Sequence, residues 1–307
     1  MRSNRLLTKF KLNRMAIHSL LFEAIGTTWD IQLFDTITDH DWSQLTVAIQ
    51  KRIEKFDQTY SRFRADSLVT RMSQQSGRYS LPADGYELLD FYDQLFRLTG
   101  GQVTPLIGQA LVQAGYDASY LFEPGPISQT PDWDDVISFS PTRLTLQQPA
   151  LLDFGAAGKG HLIDIVGDLI SQAGLKSFLI NAGGDLLQRS IDIKPLTVGM
   201  ENPKDTSEVL GTVRLMNKSL CASAGSKRQW AGYHHILDPE LKRSPSDVIA
   251  TWVIADTTMI ADGLATALFF TDASSLLKQF VFSYAVLTSN MSLQFSNDFP
   301  VTLFKDS

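Results

Sequence analysis

Apolar and polar positions follow two rhythms along this chain. Residues 42–60 place Leu45, Val47, Ile49, Ile53 and Phe56 at mostly helical spacing, and residues 82–99 place Leu88, Leu89, Tyr92, Leu95, Phe96 and Leu98 at i, i+3, i+4. Leu162, Ile163, Ile165, Val166, Leu169 and Ile170 repeat the pattern. A period near 3.6 gathers such residues on one face, so each stretch predicts an amphipathic helix, the second ending at Gly100-Gly101 and the third at Gly174. Residues 257–270 (TTMIADGLATALFF) are apolar nearly all round and predict a buried helix. Short β-branched and aromatic runs at 27–34, 178–180, 196–200, 211–215, 251–255 and 281–289 predict strands, and 136–139 with 143–146 reads as strand, turn, strand. A short helix is expected after residues 62–67. The elements alternate without the even βαβ beat of a parallel doubly wound sheet, and several strand pairs are joined by turns. A mixed α+β fold follows.

Composition narrows the function classes. The 307 residues are 44% hydrophobic and 20% charged, as in an ordinary soluble globular protein, with no internal repeat. The net charge of -6 argues against a nucleic-acid surface. Cys221 is the only cysteine, which excludes a disulfide framework and thiolate zinc sites, and its expected role is that of a small buried residue. Arg2, Arg5, Lys9, Lys11 and Arg14 make residues 1–20 a basic tail, followed by one domain over 21–300 with structure beginning near Leu21. Residues 15–25 are interrupted by His18 and Glu23 and carry no cleavage site, so no signal peptide is read. No apolar run reaches bilayer-spanning length, and a cytoplasmic location is the expectation.

Candidate chemistry begins in the apolar helix. Asp262 and Thr266 lie four residues apart there and share a face. A buried carboxylate requires a compensating cation or a proton, and an acid with a hydroxyl suits hard Mg²⁺ better than zinc. The alternative is an Asp on a solvated stripe and a Thr bonded back to its own helix. The run Asp153-Phe154-Gly155-Ala156-Ala157-Gly158-Lys159-Gly160 leads into a helix, where free amides and the dipole favour phosphate, or it is merely the turn that enters the helix. It is neither a Walker A loop, since Gly160 stands where Ser or Thr is needed, nor a dinucleotide fingerprint. Asn181-Ala182-Gly183-Gly184-Asp185 suits either close ligand approach or a tight Asx turn. Ser223-Ala224-Gly225-Ser226-Lys227-Arg228 supplies cations for phosphate oxygens. In Tyr233-His234-His235-Ile236-Leu237-Asp238-Pro239 at most one histidine should face a given site.

These blocks, in the order D-x-G-x-x-x-K-G, N-x-G-G-D, S-x-x-G-x-x-R, H-I-L-D-P and A-D-x-x-A-T-A, resemble the ApbE family of FAD:protein FMN transferases. The resemblance reaches upstream to Gly26-Thr27-Thr28-Trp29, Phe63-Arg64-Ala65-Asp66-Ser67 and Gly100-Gly101, and so spans residues 22–270. It implies largely antiparallel sheets with packed helices, in two lobes around an FAD cleft. It also implies Mg²⁺-dependent splitting of FAD, with FMN attached through its phosphate to a Thr or Ser of an acceptor flavoprotein and AMP released. By the same resemblance, Asp262, Thr266 and the Ala156 carbonyl hold the metal. Asp153 and Lys159 contact FAD, Leu237 lies against it, Phe63 belongs to the flavin pocket, and His235 is the candidate base, with Asp185 and Arg228 in support. Two other readings keep the pocket: an FAD pyrophosphatase giving FMN and AMP, and a flavin-binding protein without turnover. With no export signal read, cytoplasmic flavin-carrying reductases are the expected acceptors.

Three departures from the family pattern carry expectations. Ile25 replaces a methionine and alters flavin packing. Gln102-Val103-Thr104 replaces Ala-Phe-Asp in a segment that lines the FAD site, which puts cofactor affinity in question. Lys242 stands where a glycine would permit a left-handed turn after Asp238-Pro239, predicting a shifted loop beside His235.

Overall fold

The eight strands of the largest sheet lie side by side in the order in which the chain makes them. The computed structural model describes residues 10–11, 16–191 and 195–304. Strands β1 (His18–Ala24) and β2 (Thr27–Leu33) form a hairpin, and helices α1 (Asp39–Tyr60), α2 (Gly85–Leu98) and α3 (Gly158–Gln172) follow. Next come β3 (Phe178–Ala182), β4 (Asp185–Arg189), β5 (Ser219–Ala224), β6 (Val248–Ala255), helix α4 (Thr258–Ala267), β7 (Ser283–Thr288) and β8 (Leu293–Phe295). Every adjacent pair is antiparallel, and the order across the sheet runs from β8 to β1 without a crossing. A four-stranded antiparallel sheet joins Phe10–Lys11, Leu196–Asn202, Asp205–Leu215 and Val301–Leu303, and a three-stranded one joins Gly77–Ser80, Arg143–Leu146 and Ile137–Ser140.

Strand periodicity decides which core each residue enters. Ile180, Leu187, Cys221 and Val253 point to the helix side, where they pack with Ile53, Phe56, Leu162, Val166 and Leu264. Their sequence neighbours Leu179, Leu186, Leu220, Trp252 and Ile254 point the other way, against Val198, Met200, Val213 and Leu215 of the four-stranded sheet. Strands covered on both faces read as continuous apolar runs, which is why 178–180 and 251–255 stand out in the sequence.

Regular structure starts earlier than the expected Leu21. Phe10–Lys11 pairs with Leu196–Asn202, and β1 begins at His18. As an edge strand β1 turns Ser19, Leu21 and Glu23 outward, and an outward Leu21, 71% exposed, blurs its alternation. Residues 1–9 and 12–15 of the expected tail lie outside the described residues. The expected closing strand over 281–289 is followed by β8 and Val301–Leu303. Among the described residues, no helix is long and apolar enough to cross a membrane.

Helices α3 and α4 cap each other. Asp164 of α3 accepts from Thr258 N–H and Met259 N–H at 2.8 Å each, satisfying the first amides of α4. In return, Asp262 Oδ2 of α4 accepts from Gly160 N–H in the first turn of α3 at 2.9 Å. The two backbones meet at Gly160, where an added Cβ would lie 2.3 Å from the Thr258 carbonyl oxygen.

Candidate active site

The reciprocal cap sets the centre of the site, because it fixes Asp262 beside the Gly155–Gly160 bend. Asp262 is 5% exposed, which excludes the solvated-stripe reading, and burial pushes its carboxyl pKa up. Asp185 opens β4 on the same side and is 2% exposed. Lys159 makes an ion pair with Asp185, and its Nζ lies 3.6 Å from Asp262 Oδ1. Donor atoms of Asp185, Cys221 and Asp262 lie within 4.8 Å of one another. One ammonium therefore faces two buried carboxylates, and the cluster has room in its charge balance for a cation.

The donor set fits a hard ion. Burial pushes the Cys221 thiol pKa well up, with Asp262 adding to the rise, and the two carboxylates beside it offer the oxygens that a hard ion takes. Thr266 sits one turn beyond Asp262 on α4, half-buried, on the same helical face. Ala156 lies in the bend just before α3.

The glycine-rich loop departs from its expected role as a cradle of free amides. Gly155 N–H donates to Asp153 Oδ1 at 2.7 Å, and Ala156 and Ala157 N–H donate to Tyr92 Oη at 3.1 and 3.2 Å. With Gly160 N–H held by Asp262, these four amides serve the loop's own shape. In Asn181–Asp185 the Asx turn is realised: Gly184 N–H donates to Asn181 Oδ1 at 3.0 Å. Gly183, at φ 66°, packs so tightly on Thr27 that a Cβ would lie 2.3 Å from its Oγ1.

A cationic and aromatic wall leads away from the carboxylates. Asp153 makes an ion pair with Arg62, which is 8% exposed and donates to Tyr116 O at 2.8 Å. The Arg62 guanidinium lies 4.1 Å from the centre of the Phe63 ring. Arg228 donates to Tyr116 Oη at 2.7 Å, and a Cβ on Gly26 would lie 4.0 Å from Arg228 Nη2, which brings the Ile25-Gly26 turn to the same wall. Ile25 holds φ 43°, a strained value for a β-branched residue. Leu237 is buried with Tyr116 and Trp230 in a cluster against which Phe63 packs, so the structure brings these two predicted residues together.

The departing segment at 102–104 divides by role. Val103 is buried in the main core, and its N–H donates to Thr99 Oγ1 at 3.0 Å. Thr104 Oγ1 accepts from Leu106 N–H at 3.2 Å and opens the short 3-10 turn Pro105–Ile107. Gln102 reaches across to donate to Asp238 Oδ2 at 3.1 Å.

The turn after Asp238 carries lysine at the glycine position of the family pattern. Lys242 itself takes the left-handed conformation, at φ 54°, so the turn closes without glycine. Its N–H donates to Asp238 O, and Asp238 N–H to Arg243 O, both at 2.9 Å. Left-handed backbone costs a non-glycine residue about 1–2 kcal/mol, partly offset in glycine by unfolded-state entropy. Lys242→Gly is therefore expected to stabilise the protein by roughly 0.5–1 kcal/mol, read in a denaturant titration.

Two adjacent histidines part company. His234 Nε2 lies 3.0 Å from Pro245 O, and its Nδ1 accepts from Ile236 N–H at 3.3 Å, a structural role. His235 Nδ1 is buried with no hydrogen-bond partner. Burial, followed by the nearby cations Arg228, His234 and Lys159, pushes the His235 pKa down to about 3. Folded His235 thus refuses the proton that the unfolded chain accepts below pH ~6.5. Its contribution is full above that value and is lost as pH falls towards about 3. His235→Gln is expected to flatten this loss over the same window, measured as the difference between variant and parent in denaturant titrations across pH.

Sequence reasoning passed over Arg62, Tyr92 and Tyr116. Arg62 adjoins the quoted Phe63 block, but nothing in the sequence marks an arginine as buried. Tyr92 was legible only as an apolar position of α2, although its hydroxyl holds the Gly155–Gly160 bend.

A model of the ApbE family matches residues 25–283. The chain is 22% identical over 262 residues to the FAD:protein FMN transferase of Vibrio cholerae, covering 80% of this chain and 78% of the relative. It is 24% identical over 276 residues to the FAD:protein FMN transferase of Haemophilus influenzae, covering 82% and 80%. Among solved structures, the ApbE protein of Thermotoga maritima superposes with a TM-score of 0.79 at 20% identity, covering 91% of this chain and 97% of that one. The flavin transferase ApbE of Vibrio cholerae gives 0.73 at 18% identity, covering 92% and 97%.

Proposed function

The chain belongs to the ApbE family, and we propose that it performs the reaction for which its relatives are named, moving FMN from FAD to a Thr or Ser hydroxyl of an acceptor flavoprotein. The observation that carries this reading is the buried Asp262–Asp185 pair balanced by Lys159 alone. Asp262, Thr266 and the Ala156 carbonyl would hold Mg²⁺ there. When bound, the ion neutralises charge on the diphosphate oxygens.

The chain's own groups do the rest. Lys159 and Arg228 supply positive charge for the phosphates, taking over from amides that are already engaged. Phe63 and Leu237 give the flavin an apolar wall. His235 Nδ1, left without a partner, receives the proton of the acceptor hydroxyl. Burial is the main cause that holds its pKa down, and an anionic diphosphate beside it would counter the further lowering by Arg228 and Lys159. The acceptor oxygen forms a new P–O bond to the FMN phosphorus, the bond to the bridging oxygen breaks, and AMP leaves with that oxygen.

Incubation of the protein with FAD, Mg²⁺ and candidate acceptors, followed by mass spectrometry, is expected to show one FMN gained on Thr or Ser. Free FMN with unmodified acceptors would assign hydrolysis instead. FAD surviving intact would leave a binding protein.

A further inference from the structure

Beyond Phe63, the aromatic wall ends in a residue held differently from the rest. Tyr116 and Trp230 are 4% and 8% exposed and are tied down, Tyr116 Oη by Arg228 and Trp230 Nε1 by Ala114 O at 2.6 Å. Tyr120 is 48% exposed. Its ring lies parallel to Phe63, at an angle of 4° with ring centres 5.6 Å apart. A short loop sets it there: Tyr120 N–H donates to Asp117 O at 3.2 Å, and Phe122 N–H returns to Gly115 O at 3.0 Å. Tyr120 and Phe122 both hold left-handed backbone, at φ 51° and 57°, and Phe122 anchors the loop on Trp230 with ring centres 5.4 Å apart. Two bulky residues in that conformation make the loop a place of stored strain, of the kind found at ligand clamps.

A flat ring system between two others needs about 7 Å from centre to centre, twice the contact distance of ~3.5 Å. The Phe63–Tyr120 rings, parallel with centres 5.6 Å apart, form an offset stack already in contact, so the exposed ring must swing outward by about one further ring thickness, ~3.5 Å, to admit a third. Arg62 already engages Phe63, and the buried rings cannot give way without breaking hydrogen bonds. Tyr120 is the exchangeable neighbour.

We propose that Tyr120 is a flavin-gripping lid: its ring parts from Phe63 and closes on the isoalloxazine, so that the flavin lies between the two. This rests on the FAD reading given above. The lid makes Tyr120 a positioning residue, since it holds the ring end of FAD while the reacting phosphates lie by Lys159.

Titration of the full-length protein with FAD, FMN and AMP in EDTA, where no transfer proceeds, tests it. Tyr120→Ala is expected to weaken FAD and FMN binding about tenfold and leave AMP unchanged. Tyr120→Phe should restore the affinity yet brighten bound-flavin emission, because a stacked phenol quenches it and a phenyl ring does not. Affinities and emission equal to the parent in both variants would overturn the lid, as would a loss confined to AMP, which would place adenine there. A parent protein that binds FAD neither in EDTA nor with Mg²⁺ present would overturn the function reading and the lid together.

Discussion

Asp262→Asn is expected to lower FMN transfer by about a thousandfold while the protein stays folded. The amide keeps an oxygen to accept from Gly160 N–H, so the tie between α3 and α4 survives. It also removes a buried charge whose ionisation burial opposes, which leaves stability unchanged or slightly higher. What it deletes is the anionic oxygen for a cation. Asp262→Ala differs in a telling way, because it orphans the Gly160 amide as well and should cost a further ~1–3 kcal/mol. Transfer assayed by mass spectrometry with FAD and Mg²⁺, beside thermal melts of both variants, separates the two roles. An Asn variant as active as its parent would remove the metal-site reading.

The second large effect needs no reacting group. Gly160→Ala would place a Cβ 2.3 Å from the Thr258 carbonyl oxygen, 2.6 Å from its carbon and 2.8 Å from Asp262 Cβ. Backbone atoms cannot rotate aside as a side-chain tip can, so the helices must separate and both caps lengthen. A loss of about 3 kcal/mol follows, with a melting temperature lower by ~6 °C or more. Transfer should fall with it, since Asp262 moves with the helix. Gly125→Ala is the control: its added Cβ meets nothing closer than 3.7 Å, and its melting point should match the parent's.

The parts of this protein legible in its sequence are those where one physical demand dominates. The apolar helix α4 could satisfy its lone acid only by burial with a partner, and Asp262 proved buried at the centre of the site. Strands β3 and β6 were legible because both faces are covered. Strands β4 and β5 were not: Asp185–Arg189 ends in polar residues, and Ser219–Ala224 is made of small ones with little β propensity. The glycine-rich loop was found with two readings open, free amides for phosphate or a helix entry turn, and the sequence could not choose because two of the acceptors that engage its amides, Tyr92 and Asp262, lie far away in the chain. Lys242 shows the converse limit, because lysine disfavours left-handed backbone and the hydrogen bonds around Asp238 nevertheless hold it there.

Seven seams hold the large sheet: β1/β2, β3/β4 and β7/β8 are joined by tight turns, while β4/β5, β5/β6 and β6/β7 span longer connections, one of them carrying α4. The longest connection lies between β2 and β3, residues 34–177, and contains α1, α2, α3 and the bend at Gly155–Gly160. Bringing the ends of so long a segment together carries an entropic cost of about 4 kcal/mol, concentrated at one pairing. The tight hairpins can zip as soon as their strands exist, whereas β2 finds β3 only after the helices between them have a place to pack, and the Gly155–Gly160 bend takes its ties partly from within that segment, at Asp153 and Tyr92, and partly from beyond the sheet's later strands, at Asp262.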